Sequence, residues 1–274
     1  MTKFFTASDG ARIAFKLSGQ GPALLCLAGL TRNSTDFQYV LPFLEGVTVI
    51  RMDYRGRGES DWTGAGTYTI QREAADAIEL LDHLGLPKTA ILGTSRGGLI
   101  AMGLAATVPE RITGLFLNDI GPNIDHQGLS FIQNYIGQQP PYRTYEEAAA
   151  ARPELYPGFE GVSWARWDQE VRLHYTESEN GLTLNYDPGL AESFARAINA
   201  PEVDLWSMFN RLGTIPLGFL RGENSDLLTP STFARMRDTH PDAVAAVVPG
   251  RGHVPFLDEP ESVAAITEFL RAIA

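Results

Sequence analysis

The chain is poor in cysteine and in positive charge, and it contains no long apolar run. One cysteine, Cys26, excludes an intrachain disulfide. It lies in the apolar segment 22–28, where a small buried hydrophobe is favoured over a reactive thiol. Lysines and arginines number 22 against 33 acidic residues, a formal net charge of −11, and no basic cluster offsets it. That balance argues against nucleic acid or an anionic membrane as a partner, because proteins that bind them carry a basic patch. A strongly anionic substrate would have to rely on a local arginine. No stretch approaches the roughly 20 apolar residues of a membrane-spanning helix, and residues 1–10 hold no signal-peptide core. The cytoplasm is therefore the expected compartment, and Asn33-Ser34-Thr35 reads as a chance glycosylation sequon. Metal-spaced His/Cys/Asp groups and a dinucleotide fingerprint are also missing, so no cofactor is implied.

What is present is a rhythm of short apolar runs and helical patterns over 274 residues, enough for one large α/β domain. Residues 11–17, 22–28, 47–53, 89–93, 112–118, 215–220 and 243–248 read as strands. Residues 71–84 read as a surface helix with Ala74, Ala77, Ile78, Leu81 and Leu84 inward. Arg72, Glu73, Asp76, Glu79 and Asp82 lie largely off that face. Gly85 closes this helix. A second runs from just after Ser95 to about Val108, where Pro109 stops it, and a third spans 260–273. Strand–helix alternation of this kind predicts a doubly wound, mostly parallel sheet covered on both faces.

Residues 122–210 break the rhythm. They hold helix-length stretches, no convincing long strand and many aromatics, and read as a helical lid inserted between a core of 1–121 and 211–274. A further piece of the main domain is the alternative. Trp164, Trp167 and Trp206 are the candidates for a substrate pocket in this segment.

The strongest local signal is Gly93-Thr94-Ser95-Arg96-Gly97, a G-x-S-x-G at a strand–helix junction. There a strained turn lifts the serine hydroxyl above the sheet, and the helix amino end faces developing negative charge. Serine needs a base. Of five histidines, His253 stands out, on the glycine-rich loop Pro249-Gly-Arg-Gly-His253 ahead of the last helix. His83 and His240 sit in surface settings, and His126 and His174 fall in the inserted segment. A carboxylate must orient the imidazole. Asp226 is favoured by chain order and by its place after a strand; Asp119, at the end of 112–118, is the rival, and Glu223 a weaker third. The backbone N–H groups of Leu30 and Arg96 are the candidates for an oxyanion hole.

Leu27-Ala-Gly-Leu30 with Phe37, Asp53-Tyr-Arg-Gly-Arg-Gly-Glu-Ser60, Gly93-Thr-Ser-Arg-Gly97, Leu220-Arg-Gly-Glu-Asn-Ser-Asp226 and Gly252-His253 together resemble the α/β-hydrolase superfamily, in its capped, esterase-like branch. They cover the sheet domain; the inserted segment lies outside them. Two departures stand out. Ala28-Gly29 replaces the family's usual His-Gly, and Arg96 follows the nucleophile where an apolar or amide side chain is commoner. The Arg96 side chain either pairs with a neighbouring carboxylate, the favoured reading, or meets an anionic part of the substrate.

A serine at this position argues against the aspartate-nucleophile branches. The expected reaction is hydrolysis of a small, moderately apolar carboxylic ester through an acyl-enzyme, with Ser95, Asp226 and His253 as the working set. Hydrolysis of a carbon–carbon bond in a diketone, or opening of a lactone, is the alternative on the same residues. A ligand receptor on a hydrolase fold is a third reading, disfavoured because binding alone needs no base.

Overall fold

The sheet is built around β5 (Thr89–Thr94), buried along its whole length. An apolar strand of this kind is stable only with both faces covered. The computed structural model describes residues 1–201, 203–213 and 215–273. Its eight-stranded sheet has the order β1-β2-β4-β3-β5-β6-β9-β10. Here β1 is Thr2–Thr6, β2 Arg12–Gly19, β3 Ala23–Leu27, β4 Thr48–Met52, β6 Ile112–Asn118, β9 Leu217–Gly222 and β10 Val244–Val248. From β4 to β10 every pairing is parallel; β1 and β2 pair antiparallel at one edge. The doubly wound α/β expectation holds. Edge strand β1 carries too weak a pattern to be read from sequence, because Phe5 is its one buried residue.

Helix α1 (Ile70–His83) starts where Thr69 accepts from the Arg72 N–H and ends at Gly85, φ 67°. The glycine reading is correct there, since a left-handed residue closes the helix without a Cβ penalty. The outward placement of Glu73 and Asp76 is not. Both are fully buried, facing the arginines of the 54–58 turn. Helix α2 (Arg96–Thr107) and α9 (Pro260–Ile273) pack on opposite faces of the sheet: Ile100 and Ala101 join one hydrophobic cluster, Ile266 and Phe269 the other.

Between β6 and β9 the chain forms α3 (His126–Tyr135), α4 (Tyr145–Leu155), α5 (Trp164–His174), α6 (Leu190–Ile198) and α7 (Leu205–Asn210). A short antiparallel hairpin, β7 (Tyr175–Ser178) with β8 (Gly181–Leu184), interrupts the helices. Its four-residue strands are too short to show an alternation in sequence. Ala148, Ala149, Trp167, Val171 and Leu182 make a small core of this segment's own. Helix α7 instead seats Phe209 against Phe219 of β9 and against His240. Helix α8 (Pro230–Thr239), capped by Thr229, follows β9. Among the described residues, no helix is long and apolar enough to cross a membrane.

Candidate active site

Ser95 sits between β5 and α2 with φ 50° and ψ −115°, a conformation that a side-chain-bearing residue adopts only under strain. The tight turn depends on its glycines. A Cβ on Gly97 would lie 2.0 Å from the Leu27 carbonyl oxygen, and one on Gly93 would lie 2.7 Å from the Gly97 backbone. The Ser95 N–H donates to Asn118 O at 3.1 Å, tying the turn to the end of β6.

His253 faces the serine: its Nε2 lies 2.8 Å from Ser95 Oγ. Its Nδ1 lies 2.7 Å from Asp119 Oδ2, and a carboxylate at that position requires Nδ1 to carry the proton. Nε2 is then the acceptor for the serine hydroxyl. The structure thus corrects the favoured acid: the carboxylate on His253 belongs to Asp119, the rival reading, and not to Asp226. Asp226 is half-buried further along the β9 loop, where its carbonyl accepts from the Gly128 N–H. The loop does contribute, by other atoms. The Gly222 N–H donates to Asp119 Oδ1 at 2.8 Å, and Ser225 Oγ donates to Oδ2 at 2.7 Å. With His253, these give the fully buried Asp119 carboxylate three donors, as a buried charge requires. Glu223 is exposed and accepts from the Gly250 N–H.

Leu30 and Ser95 line one cavity, and a Cβ on the preceding Gly29 would lie 3.9 Å from Ser95 Cβ. The Arg96 N–H is the first of α2, among the groups a helix leaves without an internal partner. The loop carrying Leu30 is held from below, because Arg57 Nε donates to the Leu30 carbonyl at 2.8 Å. Arg57 also donates to Glu73 at 2.6 Å. The Gly56-Arg57-Gly58 segment is therefore a turn that delivers a buried guanidinium. The Arg96 side chain reaches the other oxygen of Glu73 at 2.6 Å. Burial works against the Glu73 charge, but the two guanidinium groups outweigh it and hold its pKa below the usual value. Arg96 is thus a structural partner of Glu73.

Above Ser95 lies a cavity of about 440 Å³. Its aromatic wall includes Tyr39, Phe131, Tyr156, Phe159, Trp167 and Phe256. Of the three tryptophans expected there, Trp167 lines it and the other two do not. Trp164 is 56% exposed at the first turn of α5. Trp206 is covered by the Arg235 guanidinium, 3.6 Å from its ring centre, and packs on Phe209. Sequence reading missed the charged and polar groups that also face the cavity: Arg32, Asp36, Arg152 and Glu170. Arg152 had a signal. It shares a helical face with Ala148 and Ala149, all three buried, so an arginine continues a stripe of small residues.

Comparison with known proteins agrees with this architecture. A family model described as alpha/beta hydrolase family matches residues 24–266. The 3-hydroxybutyrate-oligomer hydrolase of Cupriavidus necator is 34% identical over 258 residues, covering 90% of this chain and 87% of that protein. The 2-(acetamidomethylene)succinate hydrolase of Mesorhizobium japonicum is 26% identical, covering 93% and 90%. Among solved structures, an alpha/beta hydrolase from Novosphingobium aromaticivorans superposes with a TM-score of 0.93 at 36% identity, covering 99% of this chain and 98% of that one. The chain belongs to the alpha/beta hydrolase family, and it is a hydrolase.

Proposed function

We propose that this protein is a serine hydrolase that cleaves a small carboxylic ester through an acyl-enzyme. The reading rests on one observation: Ser95 Oγ, both His253 ring nitrogens and the Asp119 carboxylate stand in a hydrogen-bonded line at a cavity with one aromatic wall. In this scheme His253 Nε2 takes the Ser95 proton as Oγ attacks the acyl carbon. Asp119 stabilises the imidazolium that forms. The oxyanion is received by the Leu30 and Arg96 N–H groups. His253 returns its proton to the departing alkoxide, then activates the water that releases the acid. Residues 122–210 serve as a cap over the site, with α7 as its seam on the sheet domain. The substrate is a small, moderately apolar molecule, and the relative named as acting on a 3-hydroxybutyrate oligomer supports an ester of that size class.

The test is a substrate panel of chromogenic esters, lactones and vinylogous diketones, run beside Ser95→Ala. Burst kinetics on an ester, abolished in Ser95→Ala, is the expected result. A fluorophosphonate probe should label Ser95 alone. Preferential turnover of a diketone would move the reaction to carbon–carbon cleavage, and activity retained in Ser95→Ala would remove the serine from its role.

A further inference from the structure

The cavity holds two arginines, and they are matched very differently. Arg32 is clasped by two carboxylates: it reaches Asp36, and its Nη2 donates to Glu170 Oε2 at 3.1 Å. Burial opposes the Arg32 charge, but Asp36 and Glu170 outweigh it and raise the pKa above its ordinary value. Arg152, from α4, is 3% exposed and lines the same cavity. Among the described residues no carboxylate lies within ion-pair distance of it. It meets neutral groups instead: its Nη2 lies 2.9 Å from His174 Nδ1, and the Tyr175 side chain is a further hydrogen-bond partner.

His174 is no substitute for a counter-ion. Burial, with the positive charges of Arg32 and Arg152, pushes its pKa well below the usual value. It is therefore neutral near pH 7, and because Nδ1 accepts from Arg152, its proton sits on Nε2. That atom faces Glu170 Oε2 at 3.8 Å. Glu170, the carboxylate on the far side of the imidazole from the Arg152 contact, is thus engaged with Arg32. The rings of Tyr156 and Tyr175, with centres 5.0 and 5.5 Å from the guanidinium carbon, offset part of the cost of burying this cation. They leave its planar fork of donors without a protein acceptor of opposite charge.

We infer that Arg152 receives a free carboxylate of the substrate, so that the ester cleaved at Ser95 belongs to a molecule carrying a carboxylate as well as the scissile bond. The inference rests on the ester-hydrolase reading above and narrows it to one substrate class: half-esters of dicarboxylic acids, or esters of hydroxy acids with a free acid end. A desolvated guanidinium binds such a group in two parallel hydrogen bonds. The aromatic walls accommodate the apolar chain between the two ends.

The test compares two p-nitrophenyl esters of equal chain length, the mono-ester of glutaric acid and the ester of valeric acid, on wild type, Arg152→Gln and Arg152→Lys. The ratio of kcat/KM for the acid-bearing ester over the neutral one should fall about 100-fold in Arg152→Gln, the loss of a charge-assisted pair. Arg152→Lys should recover part of it. An unchanged ratio, with both esters slowed alike, would make Arg152 a structural residue and overturn the inference. A second measurement needs no turnover: titration of Ser95→Ala with monomethyl glutarate, with and without Arg152→Gln. Binding lost with the arginine supports the carboxylate site even if neither ester is cleaved, in which case the ester reading alone fails. Equal binding in both proteins, or none in either, overturns the site. Circular dichroism of each variant separates loss of recognition from loss of fold, and Arg152→Lys keeps the comparison available if Arg152→Gln unfolds.

Discussion

Asp119 and His253, 134 positions apart, meet with a carboxylate oxygen 2.7 Å from Nδ1. Asp119→Asn preserves the shape of that contact but offers an amide in place of the charge. The imidazole tautomer is then no longer fixed, and kcat should fall by about 10⁴ with the fold retained. Asp226→Asn touches nothing at His253 and should stay within about threefold of wild type, as a change away from such contacts does. Steady-state kinetics on one chromogenic ester, with circular dichroism of both variants, checks the pair. The opposite order of severity would return the role to Asp226.

That pair also shows what local sequence carries. Ser95 and His253 are legible because short-range grammar surrounds them: glycines at 93 and 97 permit the serine turn, and Gly252 precedes the histidine on its loop. The acid is not legible in the same way. Both Asp119 and Asp226 follow a strand and lie between Ser95 and His253, so chain order does not separate them after all, and only the path of the β9 loop decides. That path brings Gly222 and Ser225, not Asp226, to the carboxylate. Glu73 and Asp76 depart from the helical pattern for a related reason. Helical periodicity puts charges outside, and nothing within residues 70–83 announces that Arg55 and Arg57 arrive from another segment to meet them. The doubly wound, mostly parallel sheet is legible in the alternating elements, though not its strand order; the hairpin at 175–184 is not legible, since four-residue strands leave no period to detect.

The strained turn at Ser95 predicts an unusual stability result. At φ 50° a Cβ is unfavourable by about 1–3 kcal/mol, a strain that Ser95→Gly relieves and Ser95→Ala does not. Glycine loses more conformational entropy on folding, roughly 0.5–1 kcal/mol. Both variants should be inactive, yet Ser95→Gly should be the more stable by about 1 kcal/mol in urea unfolding. A Ser95→Gly less stable than Ser95→Ala by the glycine entropy alone, roughly 0.5–1 kcal/mol, would mean that the turn stores no strain.

Glu73 stands between Arg57 and Arg96, and its removal leaves two buried guanidinium groups facing each other. Glu73→Gln should cost about 3–5 kcal/mol of stability at pH 7. The sign with pH follows from the lowered pKa of the folded carboxyl. Its stabilisation is fully present above the ordinary value of 4.5 and drains away as pH falls through the lower, folded value. The gap between wild type and Glu73→Gln in denaturant unfolding should therefore be widest near neutrality and narrow in acid. A gap that widens on acidification would contradict the ion-pair assignment. Since Arg57 also holds the Leu30 carbonyl, the variant should lose turnover as well.

The three tryptophans differ in what they touch. Trp167 is 5% exposed, lines the cavity, and stacks on Tyr156 with ring centres 6.2 Å apart while meeting Phe159 edge-on at 5.7 Å. Trp167→Ala removes a large part of the wall and opens the small core it shares with Ala148 and Val171, at a cost of about 3–5 kcal/mol. KM for an apolar ester should rise, because the lost contact surface serves the bound substrate as well as the fold. Trp164→Ala removes an exposed ring and should move stability by no more than about 0.5 kcal/mol. Trp206→Ala breaks the stack with Arg235 and the packing on Phe209, so it should lower the unfolding midpoint while leaving KM in place. Melting curves and KM for all three variants check the set. A raised KM in Trp164→Ala or Trp206→Ala, with Trp167→Ala unaffected, would put the substrate somewhere other than the cavity above Ser95.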